Sequence, residues 1–273
     1  MKKTGNIRKM RVELADPVQY FLPLGDSELY LNPFLGQEIS IRHTGAINCI
    51  ACGRETSQSF NQGYCFPCLR TLARCDSCIV RPELCHYYED TCREPQWAQA
   101  NCLQPHIVYL ANSSGLKIGI TRRSQIPDRW IDQGASSALP ILQTRERLVA
   151  GLVEVIIKQH VSDRTDWRKM LKGGPVQIDL PEQRDSLLLQ CENELLSLKK
   201  HKGEAAFEEI PAEIVNINYP VNEYPEKVKA LNLDKTPTIT GKLHGIKGQY
   251  LLLDSGVLNM RKFAGYRLAI EVI

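Results

Sequence analysis

The amino-acid sequence predicts an α+β fold that contains a metal-stabilised module. Three observations indicate this class: short strand-like runs at both ends, nine of the ten cysteines between Cys49 and Cys102, and a hairpin pattern followed by helical periodicity. A length of 273 residues suits two domains, or one domain with a large insertion. The predicted units are an N-terminal β element (1–48), a cysteine-rich module (49–105), an α/β domain with helices (106–210) and a C-terminal β-rich element (211–273).

Both ends of the chain have the pattern of short strands divided by turn residues such as Asp16-Pro17, Asn32-Pro33 and Gly256. Neither end alone has the bulk for a hydrophobic core, and chain termini often lie close together. We therefore expect the two ends to form one small barrel or sheet. The predicted strands are 11–14, 19–22, 28–31 and 38–42 at the start, and 238–243, 249–254, 256–260 and 266–272 at the end.

Two Cys-x-x-Cys knuckles, Cys49/Cys52 and Cys65/Cys68, are separated by twelve residues. This spacing is typical of a four-thiolate zinc site, because each knuckle turns the backbone so that two sulfurs reach adjacent corners of a tetrahedron about 2.3 Å from the metal. Gly53 follows the first knuckle, where the backbone turns tightly. Disulfides are the alternative, which knuckle spacing and a reducing cytosol disfavour.

The remaining clustered cysteines predict a second zinc ion whose ligands stay open. A third knuckle, Cys75/Cys78, needs two further ligands, and the segment from Cys102 to His106 has finger-like Cys/His spacing. The segment 49–105 has few aliphatic residues and could not form a core without metal. Two zinc ions are predicted, with ligands drawn from Cys49, Cys52, Cys65, Cys68, Cys75, Cys78, Cys85, Cys92 and Cys102; one of these nine cysteines would be left as a packed thiol.

The region after the cysteines predicts a β-hairpin followed by helices. Strands at 106–111 and 116–121 flank the turn Asn112-Ser-Ser-Gly115. Apolar residues then recur at helical spacing. Cys191 lies on the apolar side of the last helix, where it is expected to be a core residue. The predicted helices are 127–132, 148–161 and 181–200.

Residues 106–172 resemble the divergent branches of the GIY-YIG nuclease superfamily that read Lys-Ile-Gly-Ile-Thr. The counterpart of the GIY motif is Ile107-Val-Tyr109, and the counterpart of YIG is Lys117-Ile-Gly119. The resemblance implies a hairpin, a helix with an arginine (Arg129) and a later helix with a glutamate (Glu154). It also implies that Tyr109 assists an attacking water, that Arg129 binds the scissile phosphate and that Glu154 holds Mg²⁺ or Mn²⁺.

The sequence departs from the family pattern in three places. Lys117 replaces the second tyrosine, and a lysine can position a water as a phenol does only if its pKa is strongly shifted. The glutamate follows the arginine sooner than in better-known members, so Glu146 competes with Glu154 for its role. The later asparagine has no clear counterpart. Within the resemblance, the candidate catalytic residues are Tyr109, Lys117, Gly119, Arg129 and Glu154.

Cationic and aromatic residues beside the motifs predict contacts with nucleic acid. Arg122 and Arg123 add positive charge near Arg129, whose planar guanidinium suits phosphate. Trp130 could stack on a base, or simply belong to a helix that ends at Gly134. The predicted nucleic-acid contacts are therefore Arg122, Arg123, Arg129 and Trp130.

The whole-chain composition limits the function classes without choosing one. A net charge of +3 permits a nucleic-acid partner but does not require it. No signal peptide and no membrane span is evident, so we expect a cytoplasmic protein. The chain also resembles an uncharacterised bacterial family with this order of elements. The leading functional hypothesis is DNA or RNA binding, with possible metal-dependent cleavage. The alternatives are a non-catalytic zinc-dependent adaptor and a protein-interaction scaffold. Oligomeric state is not indicated.

Overall fold

A computed structural model describes residues 1–174 and 176–273, and its α+β architecture confirms the predicted class. Strands form three antiparallel sheets. The strands are β1 (Lys2–Asn6), β2 (Arg11–Glu13), β3 (Gln19–Leu24), β4 (Ser27–Tyr30), β5 (Glu38–Ile47), β6 (His106–Asn112), β7 (Leu116–Arg122), β8 (Ser137–Thr144), β9 (Phe207–Glu209), β10 (Val215–Asn216), β11 (Thr238–Lys247), β12 (Tyr250–Leu253), β13 (Gly256–Asn259) and β14 (Tyr266–Val272). The helices are α1 (Phe66–Thr71), α2 (Pro95–Asn101), α3 (Asp128–Asp132), α4 (Arg147–Ile157), α5 (Trp167–Met170), α6 (Leu180–Gln190) and α7 (Glu192–Lys202). Helices α4, α6 and α7 pack on one face of the sheet that contains β6.

Strands from both ends of the chain lie in one six-stranded sheet, in the order β1-β14-β5-β11-β12-β13. β1 pairs with β14 and β14 pairs with β5, so the first and last strands are neighbours. A small sheet, β2-β3-β4, shares the core of this unit. Along β3, Tyr20, Leu22 and Leu24 are buried and alternate with half-buried residues, because successive strand side chains point to opposite faces.

The hairpin β6–β7 forms, with Tyr109 paired opposite Gly119, and it belongs to a sheet ordered β10-β8-β6-β7. Every residue of β6 is buried. Ile107, Tyr109 and Ala111 face the core shared with the terminal sheet, whereas Val108 and Leu110 face a second core under the helices. Strand β6 is therefore the shared wall of two hydrophobic cores.

Helix α4 packs on this sheet through an apolar stripe and turns its polar side outward. Val149, Val153 and Ile157 are buried, while Arg147 and Glu154 are only partly covered. The helix predicted at 181–200 is two helices, α6 and α7, which meet at the buried Cys191. No helix of the described residues combines the length and the apolar character that a membrane crossing requires.

The cysteine-rich segment has little regular structure of its own. It contains α1, α2 and several short 3-10 turns. Among the described residues, none between Ile47 and Ile107 belongs to any of the three hydrophobic core clusters. Small segments without a core usually require a metal or disulfides to hold one conformation.

Candidate functional site

The thiols of the first two knuckles form one cluster. The sulfurs of Cys49, Cys52, Cys65 and Cys68 all lie within 4.8 Å of one another. Those of Cys52 and Cys65 are 3.8 Å apart, and a tetrahedron of sulfurs with 2.3 Å bonds to zinc has edges of about 3.8 Å. The donor set and its spacing therefore fit a zinc ion.

The local backbone prepares this cluster for a metal. Burial by itself raises the pKa of Cys49, but backbone N–H groups of Cys52, Cys65 and Ala51 directed at its sulfur outweigh burial and lower the pKa to about 6. Burial raises the pKa of Cys68, whose thiol also faces the other three. Gly53 turns the knuckle with a φ of +74° and donates to the Cys49 carbonyl at 2.9 Å.

The third knuckle does not present both sulfurs to one site. Cys75 lies near Cys49 and Asn61, and burial raises its pKa. Cys78 instead lines a separate small cavity. The chain turns between Cys75 and Cys78 at Asp76, and Cys75 is not among the residues that line this cavity. His106 does not line this cavity either; it is fully buried in β6, and its Nδ1 lies 2.8 Å from the Gln104 carbonyl.

The candidate catalytic residues meet in one cleft of about 500 Å³. The cleft lies between the hairpin, helices α3 and α4, and the cysteine-rich segment. Its lining also includes Arg261, from the turn between β13 and β14. The predicted catalytic and nucleic-acid-binding residues that line it are Tyr109, Lys117, Gly119, Arg122, Arg129 and Glu154, and the predicted metal ligand Cys102 lines it as well.

The side chain of Tyr109 packs directly against the backbone of Gly119. The Tyr109 side chain is fully buried, and its hydroxyl donates to Gln133 Oε1 at 2.9 Å. A Cβ at Gly119 would lie 2.7 Å from that hydroxyl oxygen. Only glycine leaves room for the phenol at this position. Burial raises the pKa of Tyr109 to about 12, so the phenol is neutral at physiological pH.

Lys117 and Glu154 have pKa values shifted toward their neutral forms. Lys117 is buried, and burial together with Arg129 lowers its pKa to about 8. Burial and the nearby Asp163 raise the pKa of Glu154. Asp163 is beside them because Ile118 N–H donates to the Ser162 carbonyl at 2.9 Å, which holds that loop against β7. Pairs of shifted groups in a cleft are a frequent mark of functional sites.

Two of the predicted nucleic-acid contacts do not face the cleft. Trp130 is 1% exposed and packs edge-on against Tyr109, with ring centroids 5.9 Å apart. The indole is therefore a core side chain in this structure and presents no face on which a base could stack. Arg123 is exposed and outside the cleft lining, donating to Gln143 at 3.2 Å. Arg122 lines the cleft and donates to Asn101 of α2.

Of the two glutamates that the sequence analysis considered for the metal-binding role, one lines the cleft. Glu154 lines the cleft, whereas Glu146 accepts a hydrogen bond from the Tyr88 hydroxyl and is not among the lining residues. Four charged residues that the sequence analysis did not assign to the site also line the cleft: Arg74, Arg147, Asp163 and Arg261. Two of them, Arg74 and Arg261, come from distant parts of the chain.

Positive charge is concentrated in the cleft. Its lining carries six arginine or lysine side chains and two carboxylates, a formal excess of four positive charges. The whole chain carries +3, so the rest of the protein is close to neutral. A cleft lined by one sign of charge attracts ligands of the opposite sign.

Comparisons with known proteins identify a family but no activity. A family model described as "Protein of unknown function (DUF2797)" matches residues 36–268. No curated protein matches the chain. No solved structure matches it either. The matched region contains both the four-cysteine cluster and the cleft. Because this match extends over most of the chain, the protein belongs to the DUF2797 family.

Proposed function

We propose that the basic cleft binds nucleic acid and cleaves phosphodiester bonds with the help of a divalent cation. We further propose that β6, β7, α3 and α4 form a divergent GIY-YIG-like unit. One observation carries the proposal: Tyr109, Lys117, Arg129 and Glu154, from four separate elements, line the same cleft. The hairpin, the helix with an arginine and the later helix with a glutamate follow the order that the resemblance implies.

The charge of the cleft supports a polyanionic substrate. The excess of four positive charges suits a nucleic-acid backbone better than a neutral ligand. Arginine predominates among the cations, and its guanidinium offers donors that match phosphate oxygens. The cleft is also bounded by three parts of the chain: Arg74 of the cysteine-rich segment, Arg129 of α3 and Arg261 near the C-terminal strands.

Each reacting group has a role that its surroundings favour. Arg129 would bind the scissile phosphate and stabilise charge that develops on its oxygens. Lys117 replaces the second tyrosine, and its pKa of about 8 permits the neutral amine to accept a proton from an attacking water. The Tyr109 hydroxyl donates to Gln133, so its oxygen lone pairs could accept a hydrogen bond from that water.

The acidic residues of the cleft fit a hard divalent cation. Glu154 and Asp163 are close enough for each charge to affect the other, and both line the cleft. Carboxylate oxygens are the ligands that Mg²⁺ and Mn²⁺ prefer. When bound there, the cation would supply charge stabilisation to the phosphoryl oxygens.

Cleavage can be tested with zinc-loaded protein and labelled single-stranded RNA, single-stranded DNA and duplex DNA in Mn²⁺ or Mg²⁺. We expect cleavage that Glu154→Gln reduces by about a hundredfold or more. Glu146→Gln is the matched control, because it changes a buried carboxyl group outside the cleft and keeps an acceptor for Tyr88. Absence of cleavage from every substrate in both metals would reject the catalytic proposal.

The pH dependence of cleavage tests Lys117 separately. Because the neutral amine is the active form, the rate should rise with pH up to about pH 8 and then level off. Lys117→Met should lower the rate and remove this rise. A Lys117→Met enzyme that keeps the wild-type rate and pH profile would show that Lys117 takes no part in proton transfer.

A non-catalytic adaptor is the second candidate, and the burial of Tyr109 favours it. A phenol that is fully buried and bonded to Gln133 has little access to a water. An adaptor would bind nucleic acid unchanged in the Glu154→Gln variant, with affinity falling steeply as salt rises. Arg122→Ala should weaken binding and lower the salt slope by about one, whereas its neighbour Arg123→Ala should not. Equal effects of the two arginines would place the binding surface outside the cleft.

A further inference from the structure

Four cysteines that the first cluster does not use surround a second cavity in the cysteine-rich segment. The cavity has a volume of about 10 Å³, roughly the space of one water molecule. It is enclosed between the short turns of residues 73–89 and helix α2. The four cysteines that line it are Cys78, Cys85, Cys92 and Cys102.

We propose that Cys78, Cys85, Cys92 and Cys102 form a second tetrathiolate zinc centre, and that Cys75 belongs to neither centre. The ligand spacing would be Cys-x6-Cys-x6-Cys-x9-Cys, which is not a knuckle pattern and so is not evident from the sequence. Cys78 and Cys102 are each close enough to Cys85 for their charges to interact, and Cys102 also to Cys92. The four sulfurs are not all within 4.8 Å of one another, as those of the first cluster are, so one ion at the centre of the cavity would draw them together.

The hydrogen bonds of this region select the thiols over the other candidate ligands. Ligand atoms of Asp76, Cys78 and His86 lie within 4.8 Å of one another. Asp76, however, already accepts from Ser77 N–H at 2.6 Å and pairs with Arg93 at 2.7 Å. His86 Nδ1 lies 2.7 Å from the Thr91 hydroxyl, and its Nε2 lies 3.4 Å from Asp76.

The four thiols, by contrast, have no side-chain hydrogen bond within the described part of the chain. Thiolate is also the ligand that structural zinc sites use most. Asp76 and His86 then support the loop around the centre rather than bind the ion. They belong to the hydrogen-bonded surroundings that orient a metal site.

An arginine beside these thiols, whose Nε atom is buried, supplies the second line of evidence. The guanidinium of Arg147 lies close to Cys78 and Cys102 and donates to the Ile79 carbonyl, but its Nε is buried without a hydrogen-bond partner among the described residues. Leaving a charged donor buried and unpaired is costly. Zinc with four thiolates carries a formal charge of −2, and such a centre would balance the Arg147 cation.

The proposed centre also fixes one wall of the basic cleft. Ile79 and Cys102 line both the small cavity and the cleft. Arg147 N–H donates to the Cys102 carbonyl at 2.8 Å, which ties the start of α4 to the last thiol. Pro82 packs against Gly151 so closely that a Cβ there would lie 2.5 Å from it. The second ion would therefore hold the helix that carries Glu154.

Metal content tests this proposal independently of any nuclease activity. We expect elemental analysis of the purified wild-type chain to give two zinc ions per chain, and X-ray absorption to show four sulfur ligands around each ion. Cys92→Ser and Cys85→Ser should each retain one zinc ion. Cys75→Ser is the matched control from the same segment and should retain two, as should His86→Gln.

Each alternative result would overturn the ligand set. One zinc ion in the wild-type chain removes the second centre, and this measurement does not depend on whether a variant folds. Loss of an ion from Cys75→Ser, or from His86→Gln with retention in Cys92→Ser, would assign the ion to other residues. NMR spectroscopy of cadmium-substituted protein is a further test of the ligand set. Two tetrathiolate centres should give two ¹¹³Cd resonances in the range of sulfur coordination.

Discussion

At the scale of single residues, the contact between Tyr109 and Gly119 makes a stability prediction. Gly119→Ala places a methyl group within 2.7 Å of the Tyr109 hydroxyl. The phenol is fully buried and packs edge-on against Trp130, so moving it away from the new methyl group would disturb that packing. We expect a loss of about 1–3 kcal/mol in the free energy of unfolding, measured by urea denaturation.

A double-mutant cycle separates this clash from a general intolerance of alanine in β7. In a Tyr109→Leu background the aromatic ring and hydroxyl are gone, so Gly119→Ala should cost clearly less. Equal costs in the two backgrounds would mean that Tyr109 is not what requires glycine.

We expect His106 to make the stability of the protein depend on pH. The side chain is fully buried, Nδ1–H donates to the Gln104 carbonyl, and Nε2 has no partner among the described residues. Burial lowers its pKa to about 4, below the ordinary value of 6.5. The folded state thus favours neutral histidine. Its contribution is complete above pH 6.5 and is lost as pH falls from 6.5 to 4, by about 3 kcal/mol at most.

The comparison of wild type with His106→Asn measures this effect, because asparagine keeps a donor and does not titrate. Between pH 7 and pH 4 the wild type should lose more stability than the variant in denaturant titrations. Parallel losses would show that His106 is readily protonated in the folded protein.

At the scale of elements, helix α6 begins with a side-chain cap that can be tested. Asp179 precedes the helix, and its carboxylate accepts from Glu182 N–H at 3.0 Å. Asp179→Ala should lower the free energy of unfolding by about 1 kcal/mol. Asp185→Ala on the same helix is the control, because its exposed pairing with the adjacent Arg184 contributes little. A larger loss from the control would contradict the capping role.

The elements that sequence reasoning found are those whose pattern is local. The hairpin β6–β7 follows from two apolar runs around Asn112-Ser-Ser-Gly115, and helix α4 follows from its apolar stripe. Strand β8 was missed: Pro140 interrupts its pattern, and it pairs with β6 across a register shift opposite Tyr109. The division of the predicted helix 181–200 was missed as well, because Cys191 carries no local breaking signal.

The residues of the candidate site likewise fall into those that local sequence patterns identified and those that only the folded structure reveals. Motif order identified Tyr109, Lys117, Arg129 and Glu154 as a group, because they fall within a short stretch of chain. Arg74 and Arg261 could not be identified, because long-range packing alone brings them to the cleft. The ligands around Cys78 were open for the same reason: turns of irregular backbone, rather than sequence spacing, decide which sulfurs face one cavity.

At the scale of the whole molecule, removal of zinc should affect only part of the fold. The segment 49–105 contributes no residue to the three core clusters within the described structure, whereas the terminal sheet has its own core. A strong chelator should therefore increase hydrogen exchange throughout 49–105 and leave β5, β11 and β14 protected. Loss of protection in all three strands would show that the metal supports the entire fold.

On the proposed function, the same treatment should remove nucleic-acid binding, because the cysteine-rich segment forms one side of the cleft through Tyr64, Arg74 and Asn101. Restoring zinc should restore binding measured by fluorescence anisotropy. Binding that survives complete metal removal would show that the cleft works without that side.

Strand β6 limits how sequences of this family can vary in length. Its residues enter two different cores in alternation, Tyr109 on one side and Leu110 on the other. Inserting or deleting one residue within the strand would exchange the two faces. Leu110 would then point into the cleft, and the phenol would enter an aliphatic core. Among relatives, insertions and deletions should therefore fall outside 106–112, even where the loops on either side change length freely.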